Sequence, residues 1–125
     1  ANDFAEGAVI RLESVQNAND QANVVAKGIC GAEAPYHAIP WFWSNQYDVR
    51  LQMVGLSQHH DQRVLRGSPE DKGFAVFYLL EGSVIAVDAV NLPIAFMVGK
   101  QLVQQRKSVS ADALSNTDIE LKSLI

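Results

Sequence analysis

The chain has 125 residues, 48% of them hydrophobic and 19% charged, with a net charge of −4. That length supports one domain with a real core and is too short for two large ones, and the acidic balance gives no bulk attraction to nucleic acid or to an anionic membrane. No apolar run approaches the ~20 residues of a membrane span, and a single cysteine, Cys30, excludes an internal disulfide and suits a reducing, cytoplasmic compartment.

Residues 1–11 are Gly- and Ala-rich and unpatterned, as at the end of something cut off upstream, and Ala1-Asn2-Asp3-Phe4 lack the charged-then-apolar order of a signal peptide. From Glu13 the pattern changes. Val15, Ala18, Ala22, Val25, Ala26 and Ile29 recur at spacings of three and four, which predicts an amphipathic helix with its apolar stripe toward a core. Ser14 is placed to cap its start and Gly31 to follow its end. Cys30 then lies at the wrong helix terminus for a stabilised thiolate and reads as a structural thiol.

Pro35 and Pro40 hold the next segment extended. It runs into Trp41-Phe42-Trp43-Ser44 and then into Val49-Arg50-Leu51-Gln52-Met53-Val54, an alternating strand signal. In an extended chain Trp41 and Trp43 point one way and Phe42 the other. Three large aromatics in a row cannot all enter one small core, so one side of the segment must meet another domain, a cofactor or a partner.

Ser57 to Gln62 reads as a turn and Val64 to Gly67 as a short strand. His59 and His60 are adjacent, and adjacent imidazoles rarely serve one metal; with no carboxylate or thiol at ligand spacing, metal binding is not expected. Phe74–Leu80 and Ser83–Val90 are strand-like runs separated only by Glu81-Gly82, which predicts a tight hairpin. Asp88, late in the second run, needs solvent or a partner. Asn91 is expected to cap a second helix with Pro93 in its first turn and Ile94, Met97, Val98, Leu102 and Val103 as its stripe. Lys100, Arg106 and Lys107 lie toward its C-terminal half, where positive charge suits the helix dipole. The tail, residues 112–125, allows short helical turns, with Thr117 and Glu120 at capping-box spacing.

Helix, antiparallel strands, helix and tail make an α+β fold: a sheet of about four to five strands covered by helices. No nucleophile elbow, phosphate-binding glycine loop or carboxylate pair is present, so no catalytic residue is assigned.

Two stretches carry a resemblance. Arg11-Leu12-Glu13-Ser14-Val15-Gln16-Asn17-Ala18 and Pro40-Trp41-Phe42-Trp43-Ser44-Asn45-Gln46-Tyr47-Asp48 resemble the flavin-dependent ferredoxin reductases of bacterial oxygenase systems. Gln52–Leu56, Phe77–Leu79, Ala86–Asn91 and Phe96–Lys100 support it in the same order. The resemblance implies that residues 1–31 are the tail of an FAD-binding domain with its last helix and residues 32–125 the reductase C-terminal domain. The family's nucleotide-binding glycine motifs and its Gly-Asp flavin motif are absent, so the chain is expected to be a fragment of a longer NAD(P)H–ferredoxin reductase, catalytically inert alone, with FAD held by the parent.

The resemblance further implies that the Val15 backbone N–H faces the pyrimidine side of the flavin and that Trp43 lies at the flavin's edge, toward a docked iron–sulfur ferredoxin. Trp41 reads as core. Lys100, Arg106 and Lys107 are candidates to receive the acidic ferredoxin, with a solvated helix end as the plainer alternative. An interaction or dimerisation module of the same fold, as in the related apoptosis-inducing factors, is the non-enzymatic alternative. The resemblance sets the Ala-rich face of the first helix against the absent FAD domain and the Trp41–Trp43 side against the absent flavin, and this exposed apolar surface is expected to drive self-association, with exchange of the first helix as one route.

Overall fold

The computed structural model describes residues 3–5, 7–32 and 35–125. After a single 3-10 turn at Asp3–Ala5, α1 runs over Val15–Ile29. Five strands follow: β1 (Trp41–Gln46), β2 (Val49–Gly55), β3 (Gln62–Arg66), β4 (Phe74–Leu80) and β5 (Ser83–Val90). Next come α2 (Pro93–Gln105), α3 (Ala111–Ser115) and a closing 3-10 turn at Leu121–Leu124. The fold is α+β, one antiparallel sheet in the order β1-β2-β5-β4-β3 with helices against it.

Register divides the sheet into two unlike faces. Trp41, Val54, Val87, Phe77 and Val64 stand opposite one another across all five strands. They form one row of the face packed by α2, and all but Trp41 are fully buried there. One residue along, Phe42, Met53, Asp88, Val76 and Leu65 form the matching row of the other face. The period of two in the strand sequences thus becomes an inside and an outside.

The β4–β5 hairpin closes as its sequence predicts. Glu81 and Gly82 both take positive φ (50° and 77°), the primed-turn geometry that matches strand twist. An extra residue, Ile85, bulges from β5 opposite Tyr78 and Leu79. Gly55 is required beside it, because a Cβ there would lie 2.1 Å from the Ile85 carbonyl oxygen.

Several expectations change. The aromatic stretch is a full strand, β1, turned back onto β2 through Tyr47-Asp48, not merely an extended lead-in. Asn91 does not cap α2. It takes a left-handed φ of 48°, and its side-chain oxygen accepts from the Arg50 N–H at 2.8 Å, prolonging the β2–β5 ladder; Leu92 occupies the cap position without a side-chain bond. Met97 is 61% exposed. Ala95 and Gly99 take its place on the buried stripe, because a close-packed helix seats small residues inward. In the tail, Ser110 caps α3 by accepting from the Ala113 N–H at 3.1 Å, while Glu120, at the cap of the last turn, makes no side-chain cap bond, so the Thr117–Glu120 box does not form.

The largest change concerns α1. Ser14 does cap it, accepting from the Asn17 N–H at 3.1 Å, and Gly31 follows Cys30 with φ 79°. Its apolar stripe does not face the core that periodicity alone predicts: Val25 is 60% and Ile29 82% exposed, which agrees with a face left open by an absent domain. Cys30 is a free, exposed thiol, not a buried structural one. Periodicity reports that a face is apolar, not what covers it.

Candidate functional site

The site assembles where the start of α1 meets β1. Asn17, the one buried residue of α1, pins the helix in place. Its Nδ2 donates to the Leu12 carbonyl (2.8 Å), and its Oδ1 accepts from Gln21 (3.0 Å) and from the Tyr36 hydroxyl (3.1 Å). One residue earlier, Gln16 accepts the Trp41 N–H at 3.3 Å. Helix start and aromatic strand are thereby tied directly, although 25 residues separate them.

Val15 opens the helix. Its N–H and that of Gln16 meet no acceptor among the described residues. No acidic side chain lies in the first turn, and Glu13, just outside it, is paired with Arg11 at 2.9 Å. The positive end of the helix dipole is therefore open to an anionic group.

On the α2 face of β1 the two indoles stack, 5.3 Å between centroids and 29° between planes. Trp41 also meets the Phe96 ring edge-on at 6.0 Å and packs against the core. Trp43 is half-buried and lies outside that core. Phe42 faces the other way, as alternation requires.

Sequence reasoning did not anticipate the cleft on the open face. It measures about 290 Å³ and is lined by Glu13, Ser14, Trp41, Phe42, Met53 and Asp88, among others. Asp88 accepts from the Tyr78 hydroxyl at 2.8 Å. Burial pushes its carboxyl above the usual value, and the Tyr78 bond pulls the other way. The Tyr78 phenol is pushed up to about 12, by burial first and then by that bond and the Asp88 charge. A lone aspartate inside an apolar strand was the available signal.

The basic residues do not form one cluster. Lys100 is exposed on α2, one turn beyond Phe96 and on the same stripe. Arg106 ends α2 in a left-handed conformation, and its Nη2 donates to the Asp3 carbonyl at 3.0 Å. Lys107 follows, its carbonyl accepting from the Val84 N–H. The two histidines separate as well: His60 lies edge-on to Tyr78, while His59 lines a different cavity. No group of three or more metal-ligating side chains exists among the described residues, nor is any helix there long and apolar enough to cross a membrane.

Comparison with known proteins agrees across methods. Residues 41–125 match the family described as reductase C-terminal. The chain is 52% identical over 123 residues to the 5,5'-dehydrodivanillate O-demethylase ferredoxin reductase subunit of Sphingobium sp., covering 98% of this chain and 30% of that protein. Among solved structures, the ferredoxin reductase for the CYP199A2 system from Rhodopseudomonas palustris superposes with a TM-score of 0.86 at 39% identity, over 95% of this chain and 30% of that one. The reductase in the covalent putidaredoxin reductase–putidaredoxin complex gives 0.83 at 43%, over 92% and 28%. The chain therefore spans about 30% of the length of the relatives it matches.

Proposed function

The chain belongs to the reductase C-terminal family, and from that premise we propose that it is the C-terminal part of an FAD-dependent NAD(P)H–ferredoxin reductase. Residues 1–31 would be the end of the FAD-binding domain and residues 32–125 the C-terminal domain. The observation that carries the reading is the near-complete match, at 52% identity, to a ferredoxin reductase subunit.

The residues present suit a flavin. The open N–H groups of Val15 and Gln16 offer donors and a positive dipole to the electron-rich side of a planar ring. Trp43 offers a flat, polarisable surface within two residues of Trp41, whose backbone is bonded to the same helix turn. Bound there, FAD would accept a hydride from NAD(P)H and release electrons singly. This chain's part is to hold one edge of the ring, to exclude water with the stacked indoles, and to present Trp43 to an iron–sulfur ferredoxin. Lys100, on the Phe96 stripe, is the basic residue best placed to meet an acidic partner, with Arg106 and Lys107 toward the helix end. The chain alone would be inert, because it contains neither nucleotide-binding glycine motif.

The test has two parts. The natural polypeptide that carries this sequence is expected to show flavin absorption bands when purified; a colourless protein with no NAD(P)H-dependent activity would leave an interaction module instead. In the flavoprotein, Trp43→Ala is expected to slow reduction of an iron–sulfur ferredoxin by about tenfold or more, the effect of losing ~1.4 kcal/mol at an interface aromatic. Ferricyanide reduction should stay within about twofold, since a small acceptor needs no docking surface. Equal loss with both acceptors would remove Trp43 from the docking surface.

A further inference from the structure

β1 is an end strand of the sheet, and the parity of its backbone groups can be read from one bond. The Pro40 carbonyl accepts from the Gly55 N–H at 2.8 Å. In an antiparallel ladder this turns the backbone groups of residues 40, 42, 44 and 46 toward β2 and those of 41, 43 and 45 outward. The outward Trp41 N–H is occupied by Gln16. The N–H and C=O groups of Trp43 and Asn45 meet no partner among the described residues.

The two end strands are managed differently. β3 carries Arg63 and Arg66 and is packed by α3. β1 reads Trp-Phe-Trp-Ser-Asn-Gln, without a charge or a proline; the start of α1 meets its outer edge at Trp41 through Gln16, and Trp43 and Asn45 lie beyond that bond. Charges, prolines and covering elements are what normally stop one sheet edge from pairing with another.

We propose that the outer edge of β1 pairs with the same edge of a second copy of this chain, antiparallel, about a two-fold axis at Ser44. Any register that sets outward residues opposite outward residues satisfies the parity. Those centred on Phe42 or Trp43 need the Trp41 N–H, which Gln16 already holds, and the one centred on Asn45 sets Trp43 opposite Tyr47, a turn residue of positive φ outside the strand. The register centred on Ser44 sets Trp43 opposite the second copy's Asn45 and Asn45 opposite the second copy's Trp43, and uses only free groups. Both pairs exchange N–H and C=O reciprocally. Because the strand is uncharged, its two-fold copy brings no like charges together, and the contact is self-complementary, as an isologous interface must be. The two sheets become one continuous sheet. The pairing rests on the edge geometry alone. If the proposed function also holds, a paired Trp43 is unavailable to a ferredoxin, and dimer and docking compete.

Sedimentation equilibrium and amide hydrogen exchange on the 125-residue chain test this together. Association is expected to protect the Trp43 and Asn45 amides by at least tenfold as concentration rises. Ser44→Lys and Ser44→Glu each place like charges across the axis, at a non-hydrogen-bonded pair where Cβ atoms lie about 4.5–5.5 Å apart. Each variant alone should be monomeric where the native chain is dimeric, and an equimolar mixture should recover the dimer. A native chain that stays monomeric overturns the proposal. So does association that leaves the Trp43 and Asn45 amides unprotected, as exchange of α1 would. The exchange measurement on the native chain decides even if a Ser44 variant fails to fold.

Discussion

Asp88 is the one charged member of the row Phe42–Met53–Asp88–Val76–Leu65 on the open face. Its carboxyl is raised by burial, against the pull of the Tyr78 hydroxyl. Glu13 lines the same cleft, Arg63 acts on Tyr78 from β3, and His60 lies against the Tyr78 ring. A raised folded value means the folded chain binds this proton more tightly than the unfolded chain. The stability it supplies is full below the unfolded carboxyl pKa of about 3.9 and is lost as pH rises through the raised value. Asp88→Asn keeps an acceptor for Tyr78 and removes the titration. Its denaturation midpoint should therefore improve relative to the native chain between pH 4 and pH 7; a difference independent of pH would show that the raised value contributes nothing to folding.

Gly99 makes a steric argument at the same scale. A Cβ there would lie 2.6 Å from Cγ2 and 2.9 Å from Cβ of Val87, a fully buried, stiff side chain on the central strand. Gly99→Ala improves helix propensity by up to ~1 kcal/mol, but forcing α2 off the sheet costs more. A net loss of about 1–2 kcal/mol is expected by denaturant titration. A gain would mean that α2 has slack over β5.

At the scale of elements, α1 and the hairpins behave oppositely. The β4–β5 hairpin is legible residue by residue, because alternation and a two-residue turn are local facts. α1 is legible as a helix and illegible as to its neighbour. It is held through Asn17, whose side chain bonds Gln21, a partner that helix spacing allows, and Leu12 and Tyr36, which spacing could not pair with it. Asn17→Ala should leave those groups without their partner, at about 1–3 kcal/mol in a half-buried setting. Amides of residues 15–21 should then exchange at least tenfold faster while β4 and β5 are unchanged. Slowing or no change would mean that α1 is fixed by something other than this residue.

Across the whole molecule, Arg66 joins the two ends of the fold. It lies on the helix-packed face in register with Ala75, and is buried. Its Nη1 donates to the carbonyls of Leu114 (3.1 Å) and Asn116 (2.7 Å), and its Nη2 to those of Thr117 (3.4 Å) and Ile119 (2.6 Å). Carbonyl dipoles, not a carboxylate, solvate the charge. They hold the tail so that Leu114 and Leu121 complete the core. Arg66→Met should cost about 2–4 kcal/mol and open residues 111–125 to limited proteolysis while the hairpins stay protected; an intact, resistant tail would show that Leu114 and Leu121 suffice.

The sequence by itself determined the α+β class, the β4–β5 hairpin with its ends and turn, the capped start of α1 and the opposite facing of Trp41 and Phe42. All of these follow from short-range spacing, where the period of two or of 3.6 is written in the chain. Only the tertiary structure decided that Gln16 ties α1 to β1, that Asp88 and Ser14 line one cleft, and that Arg66 holds the tail. Each of these joins groups distant in sequence, and a pairing between distant segments depends on the three-dimensional sum of packing and hydrogen bonding, which no local period records.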